Sequence, residues 1–363
     1  MKIMFFIGSL KLGGAERAVS KLANDWRSRS HEISIVTLCG VEDDFYSLDA
    51  SITRIGLNLM EPRATLLQKV VLQFRRMYHL PRVIWQVRPD IVISFNTDAN
   101  ILCMETAWLH PCPVLISERT NPERQIIKKL PALIRRVFYP LARKIVFVSQ
   151  GVADRYPWIS KERKAVILNA LEKRDIDSSS RNHEIVALGR LMPVKGFDIL
   201  IRAFASIAER YPDWTLSIYG DGVLKTELQD MIAAQGMTGR VVLKGHTKDP
   251  YPILAEAGIF VLSSRYEGFP NSLMEAMSVG APSISFDCAC GPNELLQHRE
   301  NGLLVPPENE KALAEAISYM IENPSERERM GKNALGINDN LAIDKISAQW
   351  GTVIEEVTGK SFS

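Results

Sequence analysis

What most constrains this chain is its rhythm. Short, nearly continuous apolar runs alternate with longer amphipathic segments, in two series separated by one polar stretch. The runs at 3–7, 33–37, 91–95, 114–117 and 145–148 make the first series; those at 184–188, 215–219, 241–243, 259–262 and 283–286 make the second. A strand that is apolar on both faces must be covered on both faces, which is the condition of a parallel sheet with helices above and below. Parallel neighbours need a crossover, and the helical segments between the runs supply it. The chain therefore reads as α/β: two tandem doubly wound, Rossmann-like parallel sheets, which 363 residues accommodate. Residues 172–183 (EKRDIDSSSRNH) are polar without periodicity and read as the linker between a first domain, 1–171, and a second, 184–342. A last amphipathic segment, 343–357 within the tail 343–363, is expected to cross back onto the first domain. Such sheets bind ligands outside the carboxyl ends of their strands, so a cleft between the two domains is the expected site.

Charge and cysteine usage narrow the class. The net charge of +2 conceals a split: residues 1–170 carry 25 Lys and Arg against 15 Asp and Glu, and the remainder 19 against 27. A first half at +10 beside a second at −8 points to an anionic partner for the first. The apolar N-terminal run ends at Gly8 and is too short for a secretory signal, and no run approaches the roughly 18 residues of a membrane span. Five cysteines without a C-x-x-C pair fit a reducing cytoplasm better than a disulfide framework or a structural zinc site. The six histidines form no H-x-x-x-H or H-E-x-x-H pattern, and no G-x-S-x-G appears. Cys288 and Cys290 read as buried structural thiols.

Three loops carry candidate chemistry. After the first run, Gly13-Gly14 opens a helical pattern, serving either as a turn chosen for geometry or as a close backbone approach to an anion at a helix start. It is neither G-x-G-x-x-G nor a P-loop. The second domain opens with a strand followed by Gly189-Arg190 and Lys195-Gly196. A planar guanidinium and a point ammonium converging from one strand end suit a diphosphate; the plain alternative is two solvated loop charges. The densest signal is Ser264-Arg265-Tyr266-Glu267-Gly268-Phe269-Pro270-Asn271-Ser272-Leu273-Met274-Glu275, running from a buried strand into a helix. Ser272-x-x-Glu275 reads as a capping box, which would account for Glu275 without a ligand; Glu267 has no such account. Free amides at Ser272 and Leu273 would form a second phosphate cradle.

These residues carry a resemblance. Gly13-Gly14-Ala15-Glu16-Arg17, Val148-Ser149-Gln150-Gly151-Val152, Gly189-Arg190 with Lys195-Gly196, Tyr219-Gly220-Asp221-Gly222, the Glu267/Glu275 pair and Asn301-Gly302-Leu303-Leu304-Val305-Pro306-Pro307, in this order and spacing, resemble a family 4 retaining glycosyltransferase of the GT-B fold over nearly the whole chain. The resemblance implies a nucleotide-sugar donor, UDP-linked, bound mainly by the second domain. Arg190 and Lys195 would hold its diphosphate, Glu275 its ribose, and Glu267 its sugar, making Arg190, Lys195 and Glu267 the catalytic set. Gly14, Gly220, His246, Gly268, Phe269, Asn271, Ser272 and Leu273 would complete the donor site. No cofactor and no metal would be needed. Ser94-Phe95-Asn96 with Asn100, and Ser117-Glu118-Arg119-Thr120-Asn121-Pro122, resemble a subgroup acting on polyprenyl-diphosphate-linked sugars in bacterial polysaccharide and glycan assembly, which makes Asn100, Glu118 and Arg119 candidate acceptor residues. Many relatives carry a histidine where Glu118-Arg119 stands here.

Asp175-x-Asp177, seven residues past a strand ending at Leu168, matches the metal-holding motif of another glycosyltransferase fold but falls in the linker. Two basic stretches remain. In 123–144 an apolar stripe (Ile126, Leu130, Leu133, Val137, Leu141) opposes Lys129, Arg136 and Arg143; it either packs on its own domain or meets a membrane. Residues 62–89 hold Arg63, Lys69, Arg75, Arg76, Arg82 and Arg88 with Phe74, Tyr78 and Trp85 and no acid, which suits a helix lying on anionic lipid. Arg75 and Arg76 are thus further acceptor candidates. No nucleic-acid motif accompanies the charge. The expectation is a cytoplasmic enzyme, peripheral at the inner membrane face, adding a hexose or N-acetylhexosamine to a lipid-linked saccharide. Its rivals are a nucleotide-sugar epimerase of the same fold and a non-catalytic nucleotide-sugar or phospholipid binding module.

Overall fold

The structure, a computed structural model, describes every residue except 43, 61–64, 123–128, 173, 175, 177–180 and 363. It divides into two compact units, Met1–Ala170 with Ile343–Ser363, and Leu171–Ala342.

The first unit begins β1 (Lys2–Ile7), α1 (Gly14–Ser28), β2 (Glu32–Thr37), β3 (Thr53–Gly56), α2 (Leu66–Val87) and β4 (Ile91–Phe95). It continues α3 (Thr97–Glu105), β5 (Val114–Glu118), α4 (Lys129–Phe138), β6 (Ile145–Phe147), α5 (Gln150–Asp154) and β7 (Lys164–Val166). The second unit runs β8 (Glu184–Leu188), α6 (Phe197–Ala205), β9 (Thr215–Tyr219), α7 (Lys225–Ala234), β10 (Val241–Gly245), α8 (Tyr251–Glu256) and β11 (Ile259–Leu262). Then come α9 (Asn271–Ser278), β12 (Ser283–Phe286), α10 (Pro292–Leu295), β13 (Leu303–Val305), α11 (Glu310–Glu322), α12 (Pro324–Ala334) and α13 (Ile337–Asn340); α14 (Ile343–Thr358) returns to the first unit.

Both sheets are parallel throughout, in the orders β3-β2-β1-β4-β5-β6-β7 and β10-β9-β8-β11-β12-β13. In each the order in which strands are added reverses once, between β1 and β4 and between β8 and β11, and the connections at such a switch point diverge to leave room for a ligand. The central strands are apolar on both faces because helices cover both: β4 is buried along its whole length, as are β11 and β12.

The return of α14 is anchored by aromatic packing. Trp26 of α1 meets Trp350 edge-on at 6.2 Å and donates its indole N–H to Ser347 Oγ at 3.0 Å. Phe362 closes over Trp26 and stacks on His31 at 4.6 Å.

Two strands, β3 and β13, are absent from the sequence reading, and a third, β7, is misplaced there. β3, β7 and β13 are three or four residues long, and β3 and β7 are half-exposed edge strands, too short for any alternation to register. β7 also stops at Val166, short of Leu168.

Candidate active site

In the second unit the switch point brings together the exits of β8 and β11. After β8 the chain passes Gly189 and Arg190 into a tight turn, Pro193–Lys195, closed by Gly196 in the left-handed region (φ +62°). A Cβ at Gly196 would lie 2.1 Å from the carbonyl oxygen of Ser263, so only glycine lets this turn approach the β11 exit. Across that approach the Lys195 ammonium meets the Glu267 carboxylate at 2.7 Å, with side chains 20% and 11% exposed. Two residues 72 positions apart thus form one charge-assisted pair at the mouth of the sheet. Arg190 is exposed, and its guanidinium meets no partner among the described residues.

The other loops at this end are stitched together by their backbones. Gly189 donates to Tyr219 O at 3.0 Å, Leu191 to Asp221 O at 2.9 Å and Gly220 to Gly245 O at 2.8 Å. Gly220 sits at φ +154° with the Gly189 carbonyl 1.8 Å from where its Cβ would be, so the β8 and β9 loops touch only through glycine. His246 follows β10 and is exposed.

The Ser272–Glu275 capping box does not form. α9 starts at Asn271 behind Pro270, and no side chain caps it. The Pro270 carbonyl takes the amides of both Leu273 and Met274 at 3.1 Å, so the Leu273 amide is not open to a ligand, while the Ser272 amide makes no backbone bond among the described residues. Glu275 is the fifth residue of α9, 5% exposed, and Gly268 and Asn271 are half-buried. Phe269 and Leu273 are core side chains that offer only backbone atoms. Cys288 is buried beside Glu267; burial, with the carboxylate's charge, pushes its thiol up to about 12, leaving it inert at neutral pH.

In the first unit the switch point joins the exits of β1 and β4. Gly13 caps α1 with no side-chain bond and is pinned by Tyr46, whose hydroxyl donates to Gly13 O at 2.9 Å and accepts its amide at 3.3 Å; Gly14 is exposed beside it. At the end of β4, Asn96 is held at φ +72°, a costly conformation outside glycine. Asn100 is fully buried and donates to Ser117 O at 2.8 Å; among the described residues its Oδ1 has no partner, nor has the buried Ser94 hydroxyl.

Glu118 is fully buried at the end of β5. Its carboxylate accepts from the Tyr139 hydroxyl at 2.8 Å, Thr97 Oγ1 at 3.0 Å and the amides of Arg119 and Thr120. Burial raises its pKa, with Tyr139 and Thr97 working against the rise. Arg119 is half-buried: it bonds Ser117 Oγ and Asn169 Oδ1 and lies 4.8 Å over the Phe95 ring. The Glu118 carboxylate is spent inside the fold, whereas Arg119 bonds through Nε and Nη1 alone among the described residues.

The two basic helices differ from their sequence reading. On α2, Arg75 is exposed but Arg76 is half-buried and donates to Leu59 O at 2.9 Å, so the adjacent arginines face apart. Leu67, Val70, Val71, Phe74, Tyr78 and Trp85 all stand exposed on one stripe of α2, Leu67 by 75% and Phe74 by 68%. On α4 and the turn after it, Leu133, Val137 and Leu141 face solvent, while Arg135 is buried against the Tyr156 ring. Over the described residues the stripe on 123–144 is therefore split, with Ile134 and Phe138 half-buried and the other three outward; Ile126, like Arg63, lies outside them. Asp175 and Asp177 also lie outside the described residues. Among the described residues no three His, Cys, Asp or Glu side chains cluster as metal ligands, and no helix is long and apolar enough to cross a membrane.

Comparison with known proteins agrees with this layout. The family model "Glycosyltransferase Family 4" matches residues 12–172, and "Glycosyl transferases group 1" matches 170–336. An uncharacterized glycosyltransferase of Methanocaldococcus jannaschii is 29% identical over 77% of this chain and 83% of its own length. A Campylobacter jejuni GalNAc-alpha-(1->4)-GalNAc-alpha-(1->3)-diNAcBac-PP-undecaprenol alpha-1,4-N-acetyl-D-galactosaminyltransferase is 28% identical over 98% of this chain and 99% of its own. Among solved structures, HepE of Anabaena in complex with UDP superposes with a TM-score of 0.79 at 20% identity, covering 98% of this chain and 100% of that one. Two Rossmann-like domains of this kind, each matched by a glycosyltransferase model, place the chain in the GT-B glycosyltransferases of family 4.

Proposed function

We propose that this glycosyltransferase moves a hexose or N-acetylhexosamine from a nucleotide diphosphate sugar, with UDP as the nucleotide, to a lipid-linked saccharide, with retention at the anomeric carbon and without a divalent metal. The observation that carries the reading is the Lys195–Glu267 pair at the β8/β11 switch point, with exposed Arg190 beside it. When the bond from the anomeric carbon to the donor's β-phosphate oxygen breaks, negative charge collects on the leaving diphosphate. Lys195 and Arg190 with the Ser272 amide at the start of α9 are cationic or donating groups suited to receive it, so no metal is required for that task. Glu267, released from Lys195 as the ammonium turns to phosphate, is left to hold the sugar hydroxyls, and Glu275 the ribose. The acceptor hydroxyl attacks the face from which the diphosphate departs and gives its proton to the departing phosphate oxygen.

The lipid-linked acceptor is supported by the substrate named for the Campylobacter relative and by α2. Its exposed apolar stripe is flanked by Arg75 and Arg82, the pattern of a helix that lies in a headgroup layer with its cations at the phosphates. The protein is accordingly read as cytoplasmic and peripheral at the membrane's inner face. In the acceptor half, Asn100, Glu118 and Arg119 act by holding the β4 and β5 ends in shape.

A donor screen tests the reading. A true donor, binding only the folded state, raises the melting temperature. UDP-sugars should do so equally in magnesium and in excess EDTA, and activity should persist in EDTA. A shift or an activity that disappears on chelation and returns with magnesium or manganese would overturn the metal-independent mechanism.

A further inference from the structure

The exit of β11 carries a cation of its own, Arg265. It stands two residues before Glu267, and all three nitrogens of its guanidinium are bonded. Nη1 donates to Pro193 O at 2.5 Å and to Asp198 Oδ1 at 2.9 Å, Nη2 to Asp198 Oδ2 at 2.8 Å, and Nε to Glu308 Oε2 at 3.0 Å. Its own amide donates to Val194 O at 2.8 Å, and Ser263, two residues earlier, donates its hydroxyl to Lys195 O at 2.9 Å. The backbone carbonyls of Pro193, Val194 and Lys195, three successive residues of the turn that presents Lys195, are thus all held from the β11 exit. The guanidinium supplies the first, a backbone amide the second and a serine the third. Asp198, in the first turn of α6, gives the guanidinium a bidentate seat, and Arg202 and Glu310 extend the network. The Asp198 carboxyl, which burial alone would raise, is held below its usual range by these arginines.

We infer that Arg265, seated on Asp198, is a positioning residue that fixes the Pro193–Lys195 turn so that the Lys195 ammonium stands where the donor diphosphate binds. The inference rests on the proposed role of Lys195. Arg265 is assigned to the turn and not to the diphosphate, because each of its guanidinium nitrogens already bonds Pro193, Asp198 or Glu308. Lysine is not an equivalent replacement, since a point ammonium cannot span a carbonyl and both oxygens of a carboxylate together.

The test separates this role from general support of the fold. Binding of UDP, GDP and dTDP, each beside its own nucleoside, is measured by calorimetry for wild type, Arg265→Met, Lys195→Met and the double variant, with melting curves on each. For the diphosphate that wild type binds most tightly, Arg265→Met should weaken affinity about tenfold and leave the nucleoside within about twofold. In the Lys195→Met background the same change should add nothing, because the group it positions is gone. Asp198→Asn, which keeps the shape and loses the charge, should weaken the diphosphate about threefold and carries the test should Arg265→Met fail to fold. Unchanged diphosphate affinity, equal loss of nucleoside and diphosphate, or effects that multiply in the double variant would each overturn the inference. Undiminished diphosphate binding by Lys195→Met would instead remove the reading of Lys195 on which it stands.

Discussion

Replacing Lys195 by methionine strips Glu267 of its counter-charge while keeping the apolar stem that packs along Gly189. At 2.7 Å and an effective dielectric near 20, the pair attracts by about 6 kcal/mol before desolvation is set against it. Exposed pairs contribute about 0–1 kcal/mol net, and breaking a fully buried pair costs about 3–5. With side chains 20% and 11% exposed, this pair falls between, and we expect Lys195→Met to cost about 2–3 kcal/mol. Glu267→Gln should cost only about 1 kcal/mol, because a lysine stem lets the stranded ammonium swing out to water, which the shorter glutamate cannot do. For a unit of this size the first loss corresponds to a fall in Tm of roughly 4–12 °C. The double variant Lys195→Met with Glu267→Gln should lie close to Glu267→Gln alone. Urea denaturation of the four proteins measures the coupling directly. Single losses that add to the double loss within about 0.5 kcal/mol would mean that the pair does not form in solution.

Other expectations follow from groups away from the donor loops. His110 has its Nε2 3.0 Å from Thr106 Oγ1, and its buried Nδ1 has no partner among the described residues; burial pushes its pKa down to about 4. The folded value lies below the unfolded one, so the stabilisation is complete above pH ~6.5 and is lost as pH falls toward 4, a loss of about 2–3 kcal/mol. Urea unfolding at pH 7 and 4.5 should show that loss in wild type and much less of it in His110→Gln; equal losses would refute the assignment. Glu118 has a raised value, so its contribution runs oppositely, present in acid and lost as pH rises through the folded value. Glu118→Gln keeps an acceptor for the Arg119 and Thr120 amides and should unfold within about 1 kcal/mol of wild type at pH 7, whereas Glu118→Leu strands four donors and should cost about 3–5. On α2, wild type should sediment with anionic vesicles at low salt and release at high salt, and Phe74→Glu or Arg75→Glu with Arg82→Glu should abolish sedimentation while leaving the donor-induced rise in Tm intact. Wild type remaining in the supernatant at low salt would end the membrane claim.

Much of this molecule is legible from its sequence because burial on both faces leaves an unmistakable trace. β4, β8, β9, β11 and β12 occupy the residues their apolar runs predict, and the loops behind them carry the donor motifs. Periodicity is silent where the physics is local or long-range. Ser272 has the right spacing for a cap, but Pro270 takes the cap position two residues earlier and its carbonyl takes the amides first. On α4 the pattern shows that one face is apolar without saying which of its side chains turn outward, and Arg135 is buried because Tyr156 gives it a ring at 5.2 Å and a hydroxyl at 3.2 Å. Glu118 and Arg119 look like site residues in one dimension; their partners Tyr139, Thr97 and Asn169 are 21 to 50 residues away and turn them inward. Arg265 sits in the most informative motif of the chain, yet nothing local points to Asp198, 67 residues before it.

Transfer itself tests the central claim most directly. The protein is incubated with a UDP-sugar labelled in the sugar, UDP-GlcNAc and UDP-GalNAc first, and with vesicles holding a polyprenyl-diphosphate-linked saccharide. The lipid fraction is then counted, and the new anomeric linkage is read by NMR. The account predicts label in the lipid-linked product, an α linkage from an α-linked donor, and loss of transfer in Lys195→Met. Label that stays on the nucleotide, whether unchanged, hydrolysed to free sugar or converted to an epimer, across the whole donor panel would contradict it.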